Sequence, residues 1–538
     1  MGIRKLLVAN RGEIALRVFR ACRELGISTV AVFTPDDRAL AHKRAADEAV
    51  EIDSYLHSEE HIRAAKKSGA EAIHPGYGFL SESPRFAAAV EAAGLVWVGP
   101  PADALEAGGD KQRAKRIARR AGVPVVREGE PEELGFPLLV KAAAGGGGRG
   151  MRVVREPGEL EDSLAAARRE AQAAFGDDRV FCERYVERPR HVEIQLLADS
   201  RGVVVALGER ECSVQRRHQK VLEESPSPAL DPGLRARMSE AAVAFAEAVG
   251  YRSAGTAEFM LDGRDFWFLE LNGRIQVEHP VTEAVTGIDL VQEQIRIAQG
   301  EPLHAPQEYL EGHAVEVRLY AEDPQTFLPQ TGRVSRLRLP SRIRVDAGVE
   351  EGDEVGTAYD PLLAKLIAHG ATRADALDRL AAALDETEVD GVVTNLPFLR
   401  WLVAHPALRA GRTSTSFLTD YTPLSQPPAR IADGSWAGSF RLNLAPPPAA
   451  PSPDVALASH HDGTGSEQSA LTAPMPGTVI RLLVQEGDRV EPRQPLVVLE
   501  AMKMETPVVS PYEAVVRAVH VSEGAQVAGG QLLVELEE

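Results

Sequence analysis

The C-terminal stretch of the chain repeats itself, and the repeat limits the fold more than any other feature. TVIRLLVQEGDRVEPRQPLVVLE (478–500) returns, loosely, as VVRAVHVSEGAQVAGGQLLVELE (515–537). At an offset of 37 positions Gly487 matches Gly524, Val490 matches Val527, Gln494 matches Gln531 and Leu496 matches Leu533. Pro474 likewise matches Pro511. Each copy consists of short apolar runs separated by turn residues. Two such copies predict a small all-β module of two similar four-strand halves with pseudo-twofold symmetry. Between them lies Glu500-Ala501-Met502-Lys503-Met504-Glu505-Thr506. Apolar runs flank this segment, which reads as strand, tight turn, strand with Lys503 at the tip. A lysine there presents its amine to water, either as an ordinary surface lysine or as a target for modification.

The 538 residues are too many for one core, and suggest roughly three to five domains. A net charge of −19 argues against a general nucleic-acid-binding surface, but leaves room for a local basic pocket. The three cysteines, Cys22, Cys182 and Cys212, are far apart and in no metal-ligand spacing, which fits a reducing compartment. Charges at Arg4, Lys5, Arg11 and Glu13 interrupt what would be the apolar part of a signal peptide. No apolar run reaches the ~18 residues that span a bilayer. The expected location is the cytoplasm.

From the N-terminus, IRKLLVA (3–9) reads as a buried strand, followed by a helix Ile14–Leu25 closed by Gly26 and a second strand Ser28–Phe33. That order starts a doubly wound sheet. Ile73–Phe79 is a glycine-rich turn carrying Tyr77. A basic helix is expected over Gln112–Ala121, after Lys111. Phe136–Lys141 is a strand ending in lysine, followed by Gly145, Gly146, Gly147, Gly148, Arg149 and Gly150, then a strand Met151–Val154. Ordering so many glycines is entropically costly. Such a run makes either a flexible linker or a loop that nears a ligand; its place between two strands favours a flap that brings bare backbone N–H groups to phosphate oxygens, with Lys141 adding charge.

Strands are expected again over Val180–Val186 and His191–Leu197. Arg216, Arg217, His218 and Lys220 then form a basic cluster that suits a solvated face or an anion site equally. Thr256–Leu261 and Asp265–Leu271 form a hairpin turning at Asp262-Gly263. Glu258 and Glu270 share side parity in it if the hairpin is regular. Carboxylates side by side repel and raise each other's pKa unless a cation lies between them. Asn272 adds an oxygen of the kind hard cations accept. Arg274, Gln276 and Glu278 alternate and face one way if the segment is extended. An arginine beside a carboxylate suits general-base chemistry on a small oxyacid, with a structural salt bridge as the plainer reading. Strands at His313–Tyr320 and around Arg344 and a helix Arg373–Leu384 continue the mixed α/β pattern. From Thr422 proline and glycine mark a linker. The stretch Ala445–Thr472 would span ~28 Å on average and ~90 Å when fully extended.

LVANRGEIA, HPGYGFLSE, GGGGRGMRVV, ERYVERPRHVEIQ, CSVQRRHQKVLEE, NGRIQVEHPVTE, GHAVEVRLYAEDP and EAMKMET together resemble the acyl-CoA carboxylase α subunits of acetyl- and propionyl-CoA carboxylase type. These fuse a biotin carboxylase to a biotin carboxyl carrier domain. The resemblance implies an α/β fold: a biotin carboxylase-type ATP-grasp with a doubly wound N-terminal domain, plus a C-terminal all-β biotinyl/lipoyl-like flattened barrel. The expected parts are an N-terminal domain (1–112), an ATP-grasp domain (113–312, flap about 113–186), a C-terminal domain (313–421), the linker (422–471) and the carrier (472–538).

The resemblance also implies roles. Lys503 would be biotinylated. Lys111, Lys141 and the flap glycines Gly145 to Gly148 would contact ATP, with Glu183 and Val186 by the adenine and His191 and His218 near the ribose and phosphates. Glu258, Glu270 and Asn272 would bind Mg²⁺ or Mn²⁺. Glu278 would deprotonate bicarbonate held by Arg274, Gln276 and Val277, and Lys220 would hold bicarbonate or phosphate. Arg344 would stabilise the biotin enolate, and Tyr77 would line the biotin pocket. Implied partners are a biotin protein ligase and a carboxyltransferase β subunit, within a hetero-oligomer containing copies of this chain; neither nucleic acid nor membrane is expected. The rival readings are a pyruvate- or urea-directed equivalent, a non-catalytic carrier, and a lipoyl carrier. Ala144 and Gly273 depart from relatives that carry glycine and threonine there. Only Ser435–Asn443 resembles the start of the docking domain found in longer α subunits.

Overall fold

Leu6, Leu7 and Val8 of strand β1 (Lys5–Val8) are fully buried, as the apolar run predicts, and the helix Gly12–Glu24 follows. Strands β2 (Ser28–Phe33), β3 (Glu48–Glu51), β4 (Ala72–His74) and β5 (Val96–Trp97) complete a parallel sheet of order β3-β2-β1-β4-β5. Strand order reverses at β1, and doubly wound sheets open a crevice there beyond the strands' carboxyl ends. Two loops meet in it: Asn10 Nδ2 donates to the carbonyls of Pro75 at 2.8 Å and Tyr77 at 2.7 Å. Gly76 makes this approach possible, with φ of +65° and a Cβ position only 2.9 Å from Asn10 Nδ2.

The computed structural model describes residues 2–142, 151–175, 178–216, 219–303, 310–356, 358–421, 470–473, 477–492, 494–501, 504–527 and 530–537. The expectations for Gly145, Gly146, Gly147, Gly148, Arg217, His218, Lys503 and most of the linker lie outside them. The basic helix runs Lys111–Arg120, and the Asp110 side chain caps it by accepting from the Arg113 N–H. Strands β6 (Leu138–Ala142), β7 (Arg152–Val154) and β8 (Val180–Arg184) form an antiparallel sheet of order β7-β6-β8. Ala167 of the helix Leu160–Phe175 packs against its Leu138, Val140 and Val154.

An eight-stranded antiparallel sheet carries most of the chemistry. Its order is β13 (Asp265–Asn272), β12 (Ser253–Asp262), β9 (Arg190–Ala198), β10 (Val204–Arg216), β11 (Gln219–Ser225), β14 (His313–Tyr320), then Leu362–Gly370 and Arg344–Ala347. Register places Glu270 opposite Glu258, Glu258 opposite Glu193, and Glu193 opposite Arg210. A row of charge therefore crosses four strands inside the protein, where each charge needs a partner. Arg210 is completely buried and donates to Glu193, to Gln195 Oε1 at 2.6 Å, to Thr282 Oγ1 at 2.9 Å and to Thr256 Oγ1 at 3.1 Å. Arg210→Met is expected to destabilise this part by about 3–5 kcal/mol, since it strips a buried carboxylate of its guanidinium. A lowered urea midpoint for the transition that unfolds this sheet would show it; an unchanged midpoint would contradict it.

The C-terminal module keeps the symmetry of its sequence. Gly477–Leu482, Arg489–Val490 and Pro495–Ala501 recur 37 positions later as Ala514–Val519, Gln526–Val527 and Leu532–Glu537. The two four-stranded sheets have matching orders: Met504–Val509, Pro495–Ala501, Gly477–Leu482, Gln526–Val527 in one, and Ala470–Thr472, Leu532–Glu537, Ala514–Val519, Arg489–Val490 in the other. Each sheet borrows its last strand from the other half. Val479, Leu496, Leu499, Val516, Leu533 and Leu536 fill the space between them. The strands either side of Lys503 pair antiparallel, with Ala501 opposite Met504.

Candidate active site

Lys220 is the hub of the large sheet's charged face. Its Nζ donates to Glu193 Oε2 at 2.5 Å, Glu278 Oε1 at 2.6 Å and Glu258 Oε1 at 2.9 Å. Burial alone would favour the neutral amine; the three carboxylates reverse this and hold its pKa well above the usual lysine value. Glu278 shows the mirror effect. Burial would raise it, but Lys220, Arg318 and Arg210 together hold it well below the carboxylate range. Arg318 Nη2 donates to its other oxygen, Oε2, at 2.9 Å.

The segment after β13 brings Arg274, Gln276 and Glu278 together, though not as an extended strand. Residues 277–278 already turn into the helix His279–Thr286, with Pro280 in its first turn and Glu278 at the N-cap position. Arg274 Nη1 donates to Gln276 Oε1 at 3.1 Å, and Gln276 Nε2 to Glu258 Oε1 at 3.2 Å. Glu82, from the loop after Tyr77, accepts from the Gly273 N–H and pairs with Arg274, both at 3.1 Å. A Cβ at Gly273 would fall 2.5 Å from the Leu105 side chain, so a larger residue there would require that leucine to shift.

Glu258 and Glu270 face each other, but not through a regular hairpin: a bulge between Glu258 and Phe259 shifts the register and sets Glu270, rather than Leu269, opposite Glu258. Burial would raise Glu258, but Lys220 and His191 hold it well below its ordinary value. His191 Nε2 lies 2.9 Å from Glu258 Oε2. Glu270 has weaker support: its pKa is raised by burial and then by Glu258, with Lys111 3.8 Å away. Asn272 Nδ2 donates to Glu258 Oε1 at 2.8 Å. Two opposed carboxylates, one of them undercompensated, beside an amide are the all-oxygen donor set that Mg²⁺ or Mn²⁺ accepts, so the residues fit such an ion. The alternative trio His191, Glu193 and Glu258 also converges, its ligand atoms lying within 4.8 Å of one another. There the Lys220 ammonium already occupies the cation's role, contacting Glu193 and Glu258.

Across the flap sheet, β6 supplies Lys141 and β8 supplies Glu183, which pairs with Lys141 at 2.5 Å and with Lys115 of the basic helix. Burial first, then repulsion from Lys115 and Lys111, brings the Lys141 amine down to about 7. Val186 is buried just beyond β8. On the opposite flank, Arg344 Nη1 donates to Glu283 Oε2 at 2.7 Å and its Nη2 to Asp346 Oδ2 at 2.7 Å. Tyr77 donates its hydroxyl to Glu13 Oε2 at 2.6 Å. The buried Lys365 lies 2.8 Å from Glu13 Oε1 and donates to the Val277 carbonyl at 3.0 Å. Glu13, Glu82, Glu193, Arg210, Arg318 and Lys365 were not among the sequence candidates. For Glu193, Arg318 and Lys365 the signal is a charge inside an otherwise apolar strand, as in HVEIQLLA, HAVEVRLY and LLAKLIA.

Residues 2–105 match the family described as biotin carboxylase, N-terminal domain, and 110–306 the carbamoyl-phosphate synthase L chain, ATP binding domain. Residues 316–420 match the biotin carboxylase C-terminal domain and 469–536 the biotin-requiring enzyme family. The chain is 47% identical over 463 residues to the propionyl-CoA carboxylase alpha chain of Ruegeria pomeroyi, covering 78% of this chain and 68% of that one. It is 47% identical over 439 residues to the biotin carboxylase of Haemophilus influenzae, covering 77% and 98%. The biotin carboxylase domain dimer of Hydrogenobacter thermophilus 2-oxoglutarate carboxylase, solved with MgADP, ADP and bicarbonate, superposes with a TM-score of 0.75 at 43% identity, covering 78% of this chain and 98% of that one. Among the described residues no helix is long and apolar enough to cross a membrane.

Proposed function

The chain belongs to the biotin-dependent carboxylases, and we propose that it uses ATP and bicarbonate to carboxylate a biotin carried on its own Lys503, for transfer by a separate carboxyltransferase β subunit to an acyl-CoA. The observation that carries this reading is the meeting of Glu278 with Lys220 and Arg318, beside the opposed pair Glu258 and Glu270. We assign residues 1–112, 113–312 and 313–421 to the carboxylase, 422–471 to the tether and 472–538 to the carrier.

In this proposal Lys111 and Lys141 take the ATP phosphates, Glu183 and Val186 face the nucleobase, and His191 lies by the ribose and phosphates. A divalent cation, held by Glu258, Glu270 and Asn272, supplies positive charge to the phosphate oxygens when bound. Arg274, Gln276 and the Val277 backbone hold bicarbonate, which lies near Lys220. Glu278 takes the bicarbonate proton at a carboxylate oxygen, and the deprotonated oxygen attacks the γ-phosphorus as the bond to ADP breaks. The carboxyphosphate so formed breaks its C–O bond to release CO₂ and phosphate, the phosphate takes the proton of a biotin ureido nitrogen, and that nitrogen bonds to the CO₂ carbon. Arg344, fixed by Glu283 and Asp346, and Tyr77, fixed by Glu13, orient that ring.

Lys141 gives a test of the nucleotide side. Phosphate beside it must pull its amine back above about 7, so ATP binding takes up a proton and affinity falls as pH rises past that value. Calorimetry at about pH 8 in buffers of different ionisation enthalpy should read an uptake approaching one proton, and Lys141→Met should abolish it. Equal heats in all buffers would mean that the amine is already protonated before ATP arrives, and an ATP affinity unchanged in Lys141→Met would remove Lys141 from the phosphate site. The acceptor is tested by purifying the chain with its carboxyltransferase partner and assaying acetyl-CoA, propionyl-CoA, longer acyl-CoAs and pyruvate. Carboxylation of pyruvate alone would overturn the acyl-CoA reading.

A further inference from the structure

Behind the Glu278 carboxylate lies a pair of acids to which the chemistry above gives no task. Register sets Glu223 of β11 directly opposite Glu316 of β14. Such residues project from the same sheet face, with Cβ atoms ~5 Å apart. Both side chains are completely buried. Neither oxygen of Glu316 has a hydrogen-bond partner. Glu223 Oε1 lies 2.5 Å from Arg318 Nη2, the same nitrogen that donates to Glu278 Oε2 at 2.9 Å. One guanidinium nitrogen is thus divided between Glu278 and a second carboxyl.

We propose that Glu223 is a positioning residue for the base: it shares Arg318 with Glu278 and so sets how far that guanidinium weakens it. The proposal rests on Glu278 being the base. A base held well below the carboxylate range accepts protons poorly, because general bases work best with a pKa near the operating pH. Something must relax that hold, and Glu223 is placed to do so. Two adjacent carboxyls in a dry interior do not both ionise readily. Burial keeps Glu316 well above its ordinary value, in spite of Lys365. Burial, and then the nearness of Glu278, brings Glu223 up to about 7 against the pull of Arg318.

Below that pH Glu223 is neutral, and the charge of Arg318 serves Glu278 alone. Above it, anionic Glu223 competes for Arg318 and Glu278 becomes the stronger base. The other groups facing the pair are Cys212 on β10, Lys220 on β11 and Lys365 on the strand Leu362–Gly370. The Cys212 thiol is held neutral by burial, and Lys220 and Lys365 are engaged with Glu258, Glu278 and Glu13. Neither the Cys212 thiol nor the Lys220 amine titrates in the same range.

The test is the pH profile of bicarbonate- and free-biotin-dependent ATP turnover, between pH 5.5 and 9, in the full chain. The parent's kcat should climb by about three- to tenfold through neutrality. Glu223→Gln should stay at the low-pH level throughout with KM for ATP unchanged, and Glu223→Asp should restore the climb. Glu316→Gln, an amide for a neutral carboxyl, should keep the parent's profile. A Glu223→Gln profile that superimposes on the parent's overturns the proposal. So does an equal loss at every pH in both Gln variants, which would mark a merely structural role. If Glu278→Gln also turns over normally, the failure lies instead in the assignment of the base.

Discussion

Replacing Glu278 with glutamine is expected to lower bicarbonate-dependent ATP turnover by about 10²–10⁴-fold. The amide keeps the shape of the side chain, and its oxygen can still accept one of the hydrogen bonds that Lys220 and Arg318 now donate at 2.6 and 2.9 Å. It cannot take a proton. KM for ATP should stay near the parent's, because Lys111 and Lys141 pair with Glu270 and Glu183 and not with Glu278. The variant also forfeits stability of a definite pH dependence. A carboxylate whose pKa is depressed on folding stabilises above its unfolded value, and that stability is lost as pH falls below it. The parent should therefore lose part of its advantage over Glu278→Gln under acid. A coupled ATPase assay with and without bicarbonate decides the point. Turnover close to the parent's would remove Glu278 as the base.

Much of this arrangement is legible in the sequence where chemistry and local pattern coincide. The hairpin around Asp262-Gly263 is marked by its turn and by alternation, but the shared face of Glu258 and Glu270 depends on the bulge between Glu258 and Phe259, which alternation does not announce. The 37-residue offset carries over strand by strand into the paired sheets, because turn residues and buried valines and leucines recur together. The partners of Glu278 are another matter. Arg318, Glu193, Glu223 and Glu316 come from β9, β11 and β14, and only the pairing order of the large sheet brings them together. No local spacing encodes that order. Each betrays itself only as a charge in a strand too apolar to face water. Alternation also misleads at 273–278, where the helix beginning at His279 turns the chain before Glu278 is reached.

Lys503→Arg should abolish carboxyl transfer to the acyl-CoA while leaving free-biotin-dependent ATP turnover within about twofold of the parent. Biotin attachment needs a nucleophilic amine, and a guanidinium, protonated at any working pH, offers none. The charge and length of the side chain are nearly kept, so the hairpin that pairs Ala501 with Met504 has no reason to change. The carboxylase part should be untouched, since the residues around Glu278 all come from sequence before residue 421. Intact mass gives a second reading: the parent should carry about 226 Da of added biotin and the variant none. Two results would break the scheme in different places. Loss of free-biotin turnover would mean that the carrier and the carboxylase do not act as separable parts. Surviving transfer would mean that the carboxyl group travels on something other than Lys503, and the symmetric module would then need another purpose.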